Sequence, residues 1–97
     1  MNIEKIIKEK KGTIVDVRSP GEFMAGNVNG SINIPLHELR ERTNEIPRNK
    51  PIVVHCAAGF RSAAGSSIIK SKVNDSVQVY DLGAAVKKFK NEPHKQI

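Results

Sequence analysis

Short apolar runs alternate with amphipathic segments along this chain. Four runs rich in β-branched residues have the length of strands, and "PIVVHC" is apolar on both faces up to His55, as in a central strand of a parallel sheet. The segments between them carry apolar residues at helical spacing. We therefore expect strands over 13–17, 31–35, 51–56 and 77–82, and helices over 3–10, 20–25, 36–46, 62–73 and 84–91. Strands separated by helices predict an α/β domain with a largely parallel sheet.

One helix start is marked by its residues. Ser19 precedes Pro20 and is followed three positions later by Glu22, which is the pattern of a capping box with proline at the first helical position. A short helix is therefore expected to run through Phe23 to Ala25. In segment 36–46, the apolar positions that should face the core are Leu36, Leu39 and Ile46.

The length and the single cysteine limit the kind of protein. Ninety-seven residues suffice for a single domain, 1–97, with one core. No apolar run approaches the roughly 20 residues of a membrane span, and the N-terminus lacks the apolar stretch of a signal peptide. One cysteine cannot form an internal disulfide, which fits a reducing compartment. We expect a cytoplasmic protein without a membrane partner.

The positive charge adds little to this picture. The formal net charge is +6, and most lysines lie near the two ends of the chain, where solvated helix faces explain them. Aromatic residues make up only 4% of the chain and do not alternate with the lysines. A stacking platform for nucleic-acid bases is therefore not expected, and a weak attraction for small anions remains.

Candidate chemistry lies in "VVHCAAGFRS", at the end of the predicted central strand. Ligands bind beyond the carboxyl ends of the strands in open parallel sheets, and Cys56 is placed there. Backbone amides of the loop 57–61, the start of a helix near Ser62 and the charge of Arg61 would surround the sulfur. Comparable environments lower a cysteine pKa from about 8.5 to roughly 3.5–7.5. The loop predicts a nucleophilic sulfur or a bound anion, against the alternative of a small buried hydrophobic residue.

The same residues resemble a known family. "CAAGFRS" matches the Cys-x-x-Gly-x-Arg-Ser loop of single-domain rhodaneses, and "IVDVRSPGEFMAGNVNGSINIP" and "VQVYDLGAAVKKF" resemble the segments on either side of it. The resemblance implies a rhodanese-like fold, with a parallel sheet of about five strands flanked by helices. Asn27, Ala84 and Phe89 depart from the usual histidine, glycine and tryptophan. Loss of the histidine should matter little if that residue packs or hydrogen-bonds a turn.

The resemblance also implies a function and a set of site residues. Cys56 would take a sulfane sulfur from a small anionic donor, such as thiosulfate or a persulfide, and pass it as a persulfide to a thiol or to cyanide. A protein that makes persulfides or accepts sulfur is a further candidate partner, and neither a cofactor nor a metal is expected. Residues that would bind substrate or stabilise the loop are Ala57, Ala58, Gly59, Phe60, Arg61 and Ser62, with Asp16, Arg18 and Glu22 as supporting residues.

Several roles stay open at the level of the sequence. Arg61 would either orient an anionic donor or hold the loop by pairing with Glu22 or Asp16. Phe60 would form a wall of the pocket or cap the core. His55 should point to the opposite face of the strand from Cys56, so a direct Cys–His pair is not expected.

Two other functions compete with sulfur transfer. Protein tyrosine phosphatases place five residues between cysteine and arginine, whereas four separate Cys56 from Arg61, which disfavours a phosphatase. The lone cysteine disfavours an arsenate reductase. A non-catalytic binding or sensing module would keep the same loop as a recognition element.

Overall fold

The computed structural model describes residues 3–57 and 60–83. The helices are α1 (Ile3–Lys8), α2 (Pro20–Ala25), α3 (Leu39–Arg42) and α4 (Phe60–Lys72), and the strands are β1 (Thr13–Asp16), β2 (Ile32–Asn33), β3 (Ile52–His55) and β4 (Val79–Gly83). The helix expected over 84–91 lies outside the described residues. No helix among those described is long and apolar enough to cross a bilayer.

The strands form one parallel sheet in the order β2-β1-β3-β4. The α/β class, the parallel sheet and the interior position of β3 are as predicted. The expectation of about five strands is wrong for the described part of the chain, which contains four. Thr13–Asp16 pairs with Ile52–His55 in register, so Asp16 lies beside His55 at the carboxyl edge.

Alternate residues of β1 and β3 build two separate core clusters, because successive side chains of a strand point to opposite faces. Ile14 and Val53 pack on one face with Ile6 and Ile7 of α1 and with Val28. The residues of the other cluster are Val15, Val17, Ile34, Leu39, Ile46, Ile52, Val54, Cys56 and Ile69. The sheet is therefore covered on both sides, as the apolar runs predict, and Cys56 belongs to the cluster on the α4 face.

Helix α4 packs close to the sheet because of one glycine. A Cβ atom on Gly65 would lie 3.2 Å from Val17 Cγ1 and 3.4 Å from Val54 Cγ1. Gly65 weakens the helix locally but allows α4 to lie directly on β1 and β3. The helix begins at Phe60, before the expected start near Ser62, so the end of the Cys56–Arg61 loop is its first turn.

The prediction of one continuous helix over 36–46 is wrong. The segment contains a 3₁₀ turn (Leu36–Glu38), the single-turn helix α3 and a second 3₁₀ turn (Thr43–Glu45). The backbone leaves regular α geometry at Arg42, with φ −118° and ψ 12°. Because Leu39 and Ile46 are buried and the positions between them supply no continuous apolar stripe, packing of these two side chains determines the path.

Candidate active site

Cys56 is held at the carboxyl end of β3 by two backbone contacts. Its amide donates a hydrogen bond to the carbonyl of Gly83, with 3.1 Å between nitrogen and oxygen. Its Sγ accepts a hydrogen bond from the Ser62 amide at 3.2 Å. The residue is 1% exposed and contacts the apolar cluster under α4. Cys56 is thus held at its backbone amide by β4 and at its sulfur by α4.

The Ser62 contact places the sulfur at the N-terminus of a long helix. Ser62 lies in the first turn of the 13-residue helix α4, where amides have no partner within the helix. Such amides and the helix dipole favour a negatively charged acceptor. The Cys56 sulfur therefore takes the place that a capping oxygen has in other helices, and the geometry suits a thiolate.

Arg61, in the first turn of α4, pairs with Glu22 of α2. Its Nη1 lies 2.7 Å from Glu22 Oε1 and its Nη2 lies 3.1 Å from Oε2, so the two groups meet at both oxygens. Arg61, together with the Ser19 amide, lowers the pKa of Glu22 from 4.5 to about 2. Glu22, and more weakly the charges of Cys56 and Asp16, raises the pKa of Arg61. Both side chains are charged at neutral pH.

Glu22 is positioned for that contact by the start of α2. The Ser19 side chain accepts the Glu22 amide at 3.2 Å, and Glu22 Oε1 accepts the Ser19 amide at 2.9 Å. The predicted capping box is therefore present, with Pro20 in the first turn. Because this box fixes the glutamate locally, Arg61 meets a carboxylate that is already oriented.

A buried ion pair supports the neighbouring loop. Asp16 Oδ2 lies 2.7 Å from Arg18 Nη2, and both residues are nearly inaccessible to solvent. The same nitrogen donates to the Gly26 carbonyl at 2.7 Å. Asn33 Nδ2 donates to the carbonyls of Asp16 and Arg18, each at 3.0 Å. The pair therefore connects the end of β1 with α2 and β2.

His55 lies with this pair and not with the sulfur. Its Nε2 is 3.6 Å from Asp16 Oδ2, and the side chain is completely buried. Cys56 lies in the core cluster on the other face of the sheet, so the two neighbours are separated as expected. No group of three or more histidine, cysteine or acidic side chains suited to a metal ion occurs within 3–57 and 60–83.

A shallow pocket of about 280 Å³ opens beside Arg61. Its lining residues are Val17, Ser19, Pro35, Leu36, His37 and Arg61. Val17 joins this pocket to the Cys56 cluster, since it belongs to both. Phe60 begins α4 and is 81% exposed, which excludes the alternative that it caps the core.

The structure brings together most of the residues that the sequence suggested. Cys56 contacts Ser62 and Arg61 contacts Glu22, and the two pairs are joined through the adjacent residues Arg61 and Ser62. Asp16 and Arg18 form a further pair behind them, Ala57 is half-buried, and Ala58 and Gly59 lie outside the described residues.

Three residues have contacts for which the sequence analysis assigned no role. Gly83 accepts the hydrogen bond of the Cys56 amide. The one sequence feature that indicates this contact is a glycine directly after the strand expected over 77–82. Asn33 holds the carbonyls of Asp16 and Arg18. Asn27 donates its side-chain amide to the Phe23 carbonyl at 2.9 Å, so it hydrogen-bonds a turn where relatives are expected to carry histidine.

Comparisons with known proteins agree with this geometry. A family model described as rhodanese-like domain matches residues 2–91. The uncharacterized protein YqhL of Bacillus subtilis is 35% identical over 80 residues, which make up 82% of this chain and 62% of that protein. The thiosulfate sulfurtransferase PspE of Escherichia coli is 39% identical over 57 residues, 57% of this chain and 55% of that protein.

A solved structure agrees as well. The crystal structure of a rhodanese-related protein from Thermoplasma volcanium matches with a TM-score of 0.69 at 35% identity, covering 84% of this chain and 79% of that one. The chain spans less than two thirds of the length of the two curated relatives named above. Since the family model covers almost the whole sequence, the chain belongs to the family of rhodanese-like domains.

Proposed function

We propose that this protein is a sulfurtransferase that carries a sulfane sulfur as a persulfide on Cys56. The Cys56 thiolate attacks the outer sulfur of a donor, the sulfur–sulfur bond of the donor breaks, and its electron pair leaves with the remaining fragment. An acceptor thiolate or cyanide then attacks the outer sulfur of the persulfide and regenerates the Cys56 thiolate. No external oxidant or reductant is required.

The observation that carries this proposal is the hydrogen bond from the Ser62 amide to Cys56 Sγ at 3.2 Å. An amide in the first turn of a 13-residue helix stabilises negative charge on the sulfur, in the thiolate and in the persulfide alike. A cysteine that only filled space would need no such donor. The buried position also fits a carrier of sulfur, because a persulfide extends the reactive atom about 2 Å beyond Sγ.

The other residues of the loop have supporting roles in this mechanism. The Ser62 amide contacts the sulfur, and the exposed Phe60, two residues before Ser62, is available to donors and acceptors. Arg61 and Glu22 fix the first turn of α4 to α2 through their ion pair. Asp16 and Arg18 hold the loop that follows β1. These four side chains are positioning residues, and Cys56 is the catalytic residue.

The partners of the reaction are a small sulfur donor and a thiol acceptor. The E. coli relative is named a thiosulfate sulfurtransferase, which favours a donor with a sulfane sulfur. The described part of the loop presents no charged side chain before Arg61, so low-molecular-weight persulfides and protein persulfides suit it better than thiosulfate does.

The test is the intact mass of the protein after incubation with excess thiosulfate and, separately, with glutathione persulfide. The proposal expects a gain of one sulfur atom, its absence in Cys56→Ser, and its removal by cyanide with release of thiocyanate. Serine keeps the size and the hydrogen-bond acceptor of the side chain, so the control tests the sulfur alone.

Absence of the adduct with both donors would overturn the proposal. Release of phosphate from an aryl phosphate by the wild type, lost in Cys56→Ser, would identify a phosphatase instead. A stable complex with a partner protein that survives Cys56→Ser without loss of function would identify a binding module.

A further inference from the structure

The pocket beside Arg61 holds little net charge. Arg61 is the one permanent cation that lines it among the residues the structure describes, and both of its terminal nitrogens face Glu22 at 2.7 and 3.1 Å. An ion pair of this kind presents a dipole to a ligand and not a full positive charge. A small anion near Arg61 therefore gains the attraction of the arginine and loses most of it to the repulsion of the glutamate.

The second cation nearby is cancelled in the same way. Arg18 is buried against Asp16, with four hydrogen bonds between the two residues, and Asp16 adds a second negative charge near Arg61. Two carboxylates thus oppose two guanidinium groups, one pair beside the pocket and one buried behind it. A ligand with two negative charges finds no excess of positive charge there within the described residues.

The remaining lining of the pocket is largely apolar. Val17, Pro35 and Leu36 form three of its six lining positions, while Ser19 and His37 are the polar ones. The exposed ring of Phe60 adds apolar surface directly before Arg61. Such a lining binds the organic group of a donor by removing it from water. Thiosulfate has no apolar group and gains nothing from this lining.

We propose that Glu22 determines donor selectivity by cancelling the charge of Arg61, so that the site takes sulfur donors with a single negative charge and an apolar group in preference to the thiosulfate dianion. This inference rests on the proposed sulfur transfer and specifies its substrate class. Glu22 acts through Arg61 and does not touch the reacting atoms, so it is a positioning residue that sets specificity.

Two donors that undergo the same reaction but differ in charge and in their apolar group provide the test. Thiosulfate carries two negative charges, whereas benzenethiosulfonate has a phenyl group in place of one oxyanion and carries a single charge. In both, the Cys56 thiolate attacks the outer sulfur, the sulfur–sulfur bond breaks, and sulfite or benzenesulfinate leaves with the electron pair. The charges balance in each case, and the persulfide formed on Cys56 is the same.

The first measurement compares the two donors on the wild-type protein. The second-order rate of persulfide formation, followed by intact mass, is divided for each donor by its rate with free 2-mercaptoethanol, which removes the difference in leaving groups. We expect benzenethiosulfonate to be preferred by at least about tenfold, because one apolar group is gained and one repelled charge is lost. A preference for thiosulfate after this correction would overturn the inference.

The second measurement removes the charge of Glu22. Glu22→Gln keeps the capping box with Ser19, since glutamine also serves at that position, and it leaves the charge of Arg61 exposed. We expect the rate to rise about threefold for each negative charge on the donor, hence about tenfold for thiosulfate and about threefold for benzenethiosulfonate. The gain should shrink in 1 M salt.

The matched control is Glu45→Gln. Glu45 pairs with Arg42 at 2.9 Å, outside the pocket, and its substitution changes the net charge of the protein by the same amount. It should leave the ratio of the two donors unchanged. An unchanged ratio in Glu22→Gln, or an equal shift in Glu45→Gln, would overturn the role of Glu22 while leaving sulfur transfer intact. Failure of the wild type to form a persulfide with either donor would instead overturn the proposed function, and the inference with it.

Discussion

The amide of Cys56 donates to the carbonyl of Gly83 at 3.1 Å, so the residue that begins the loop is tied to the end of β4. This contact depends on an irregularity in the sheet. Val54 pairs with Asp81 but His55 pairs with Gly83, which leaves one extra residue in β4. Gly83 has φ +60°, in the left-handed region, and its own amide donates to Asp81 Oδ1 at 3.0 Å. A bulge beside the site thus aims a carbonyl at Cys56.

Gly83→Ala should therefore lower both stability and activity. An alanine at positive φ costs about 1–2 kcal/mol, and relief of that strain would move the carbonyl away from the Cys56 amide. We expect the free energy of unfolding in urea to fall by about 1 kcal/mol and persulfide formation to slow. Gly21→Ala is the control, since a Cβ there meets nothing within 4 Å and the residue lies in α2, where alanine stabilises a helix. Equal effects of the two substitutions would contradict the bulge argument.

The ion pair of Glu22 and Arg61 should give a pH-dependent part of the stability. The pKa of Glu22 is lowered from 4.5 to about 2 in the folded protein, so the folded state holds its proton less tightly than the unfolded state. The contribution is complete above about pH 4.5 and is lost as the pH falls from there to about 2. Both side chains are more than a third exposed, so we expect only about 0.5–1 kcal/mol.

The measurement is urea denaturation of the wild type and of Glu22→Gln at several pH values. The difference in unfolding free energy between them should be about constant from pH 5 to 7 and should narrow between pH 4.5 and 2. A difference that does not change over this range would show that the carboxylate charge contributes nothing. Glu45→Gln breaks a second exposed glutamate–arginine pair, so it shows what the loss of such a pair does away from the site.

The buried pair of Asp16 and Arg18 should be far more sensitive to substitution. Asp16→Asn leaves the buried guanidinium group of Arg18 without its counter-charge, which costs about 3–5 kcal/mol. Glu38→Gln breaks an exposed pair with Arg42 and should cost far less, because water screens both groups. Chemical denaturation of both variants at pH 7 tests the contrast. Similar losses in the two variants would mean that water reaches Arg18.

The sequence predicts those parts of the site that depend on residues close together along the chain. The apolar run of 52–55 places Cys56 at the end of a central strand, and the spacing of Ser19 and Glu22 predicts the capping box. The partner that Arg61 has in the fold is Glu22, which lies 39 positions away, so tertiary packing decides between Glu22 and Asp16. The sequence alone left that choice open.

Two other features show the same limit. The bulge that brings Gly83 to Cys56 depends on the register of β4 against β3, and a glycine after a strand does not specify it. The segment 36–46 has an amphipathic pattern but folds as short 3₁₀ and α turns, because its buried side chains at Leu39 and Ile46 fit the core only with a break near Arg42. Local patterns predicted the elements, and tertiary packing determined the contacts between them.

Phe60 and Met24 provide a last test of the proposed mechanism, because both are large, apolar and about equally exposed, at 81% and 80%. Phe60→Ala and Met24→Ala should each change the unfolding free energy by less than about 0.5 kcal/mol. Phe60 directly precedes Arg61, which lines the pocket, so its loss should slow sulfur transfer from the Cys56 persulfide to an aromatic thiol by about fivefold, the effect of about 1 kcal/mol of lost apolar contact. Transfer to cyanide, which has no apolar group, should be unchanged, and Met24→Ala should change neither rate. If Phe60→Ala slows both acceptors equally, then the ring acts on the loop that holds Cys56 and not on the acceptor.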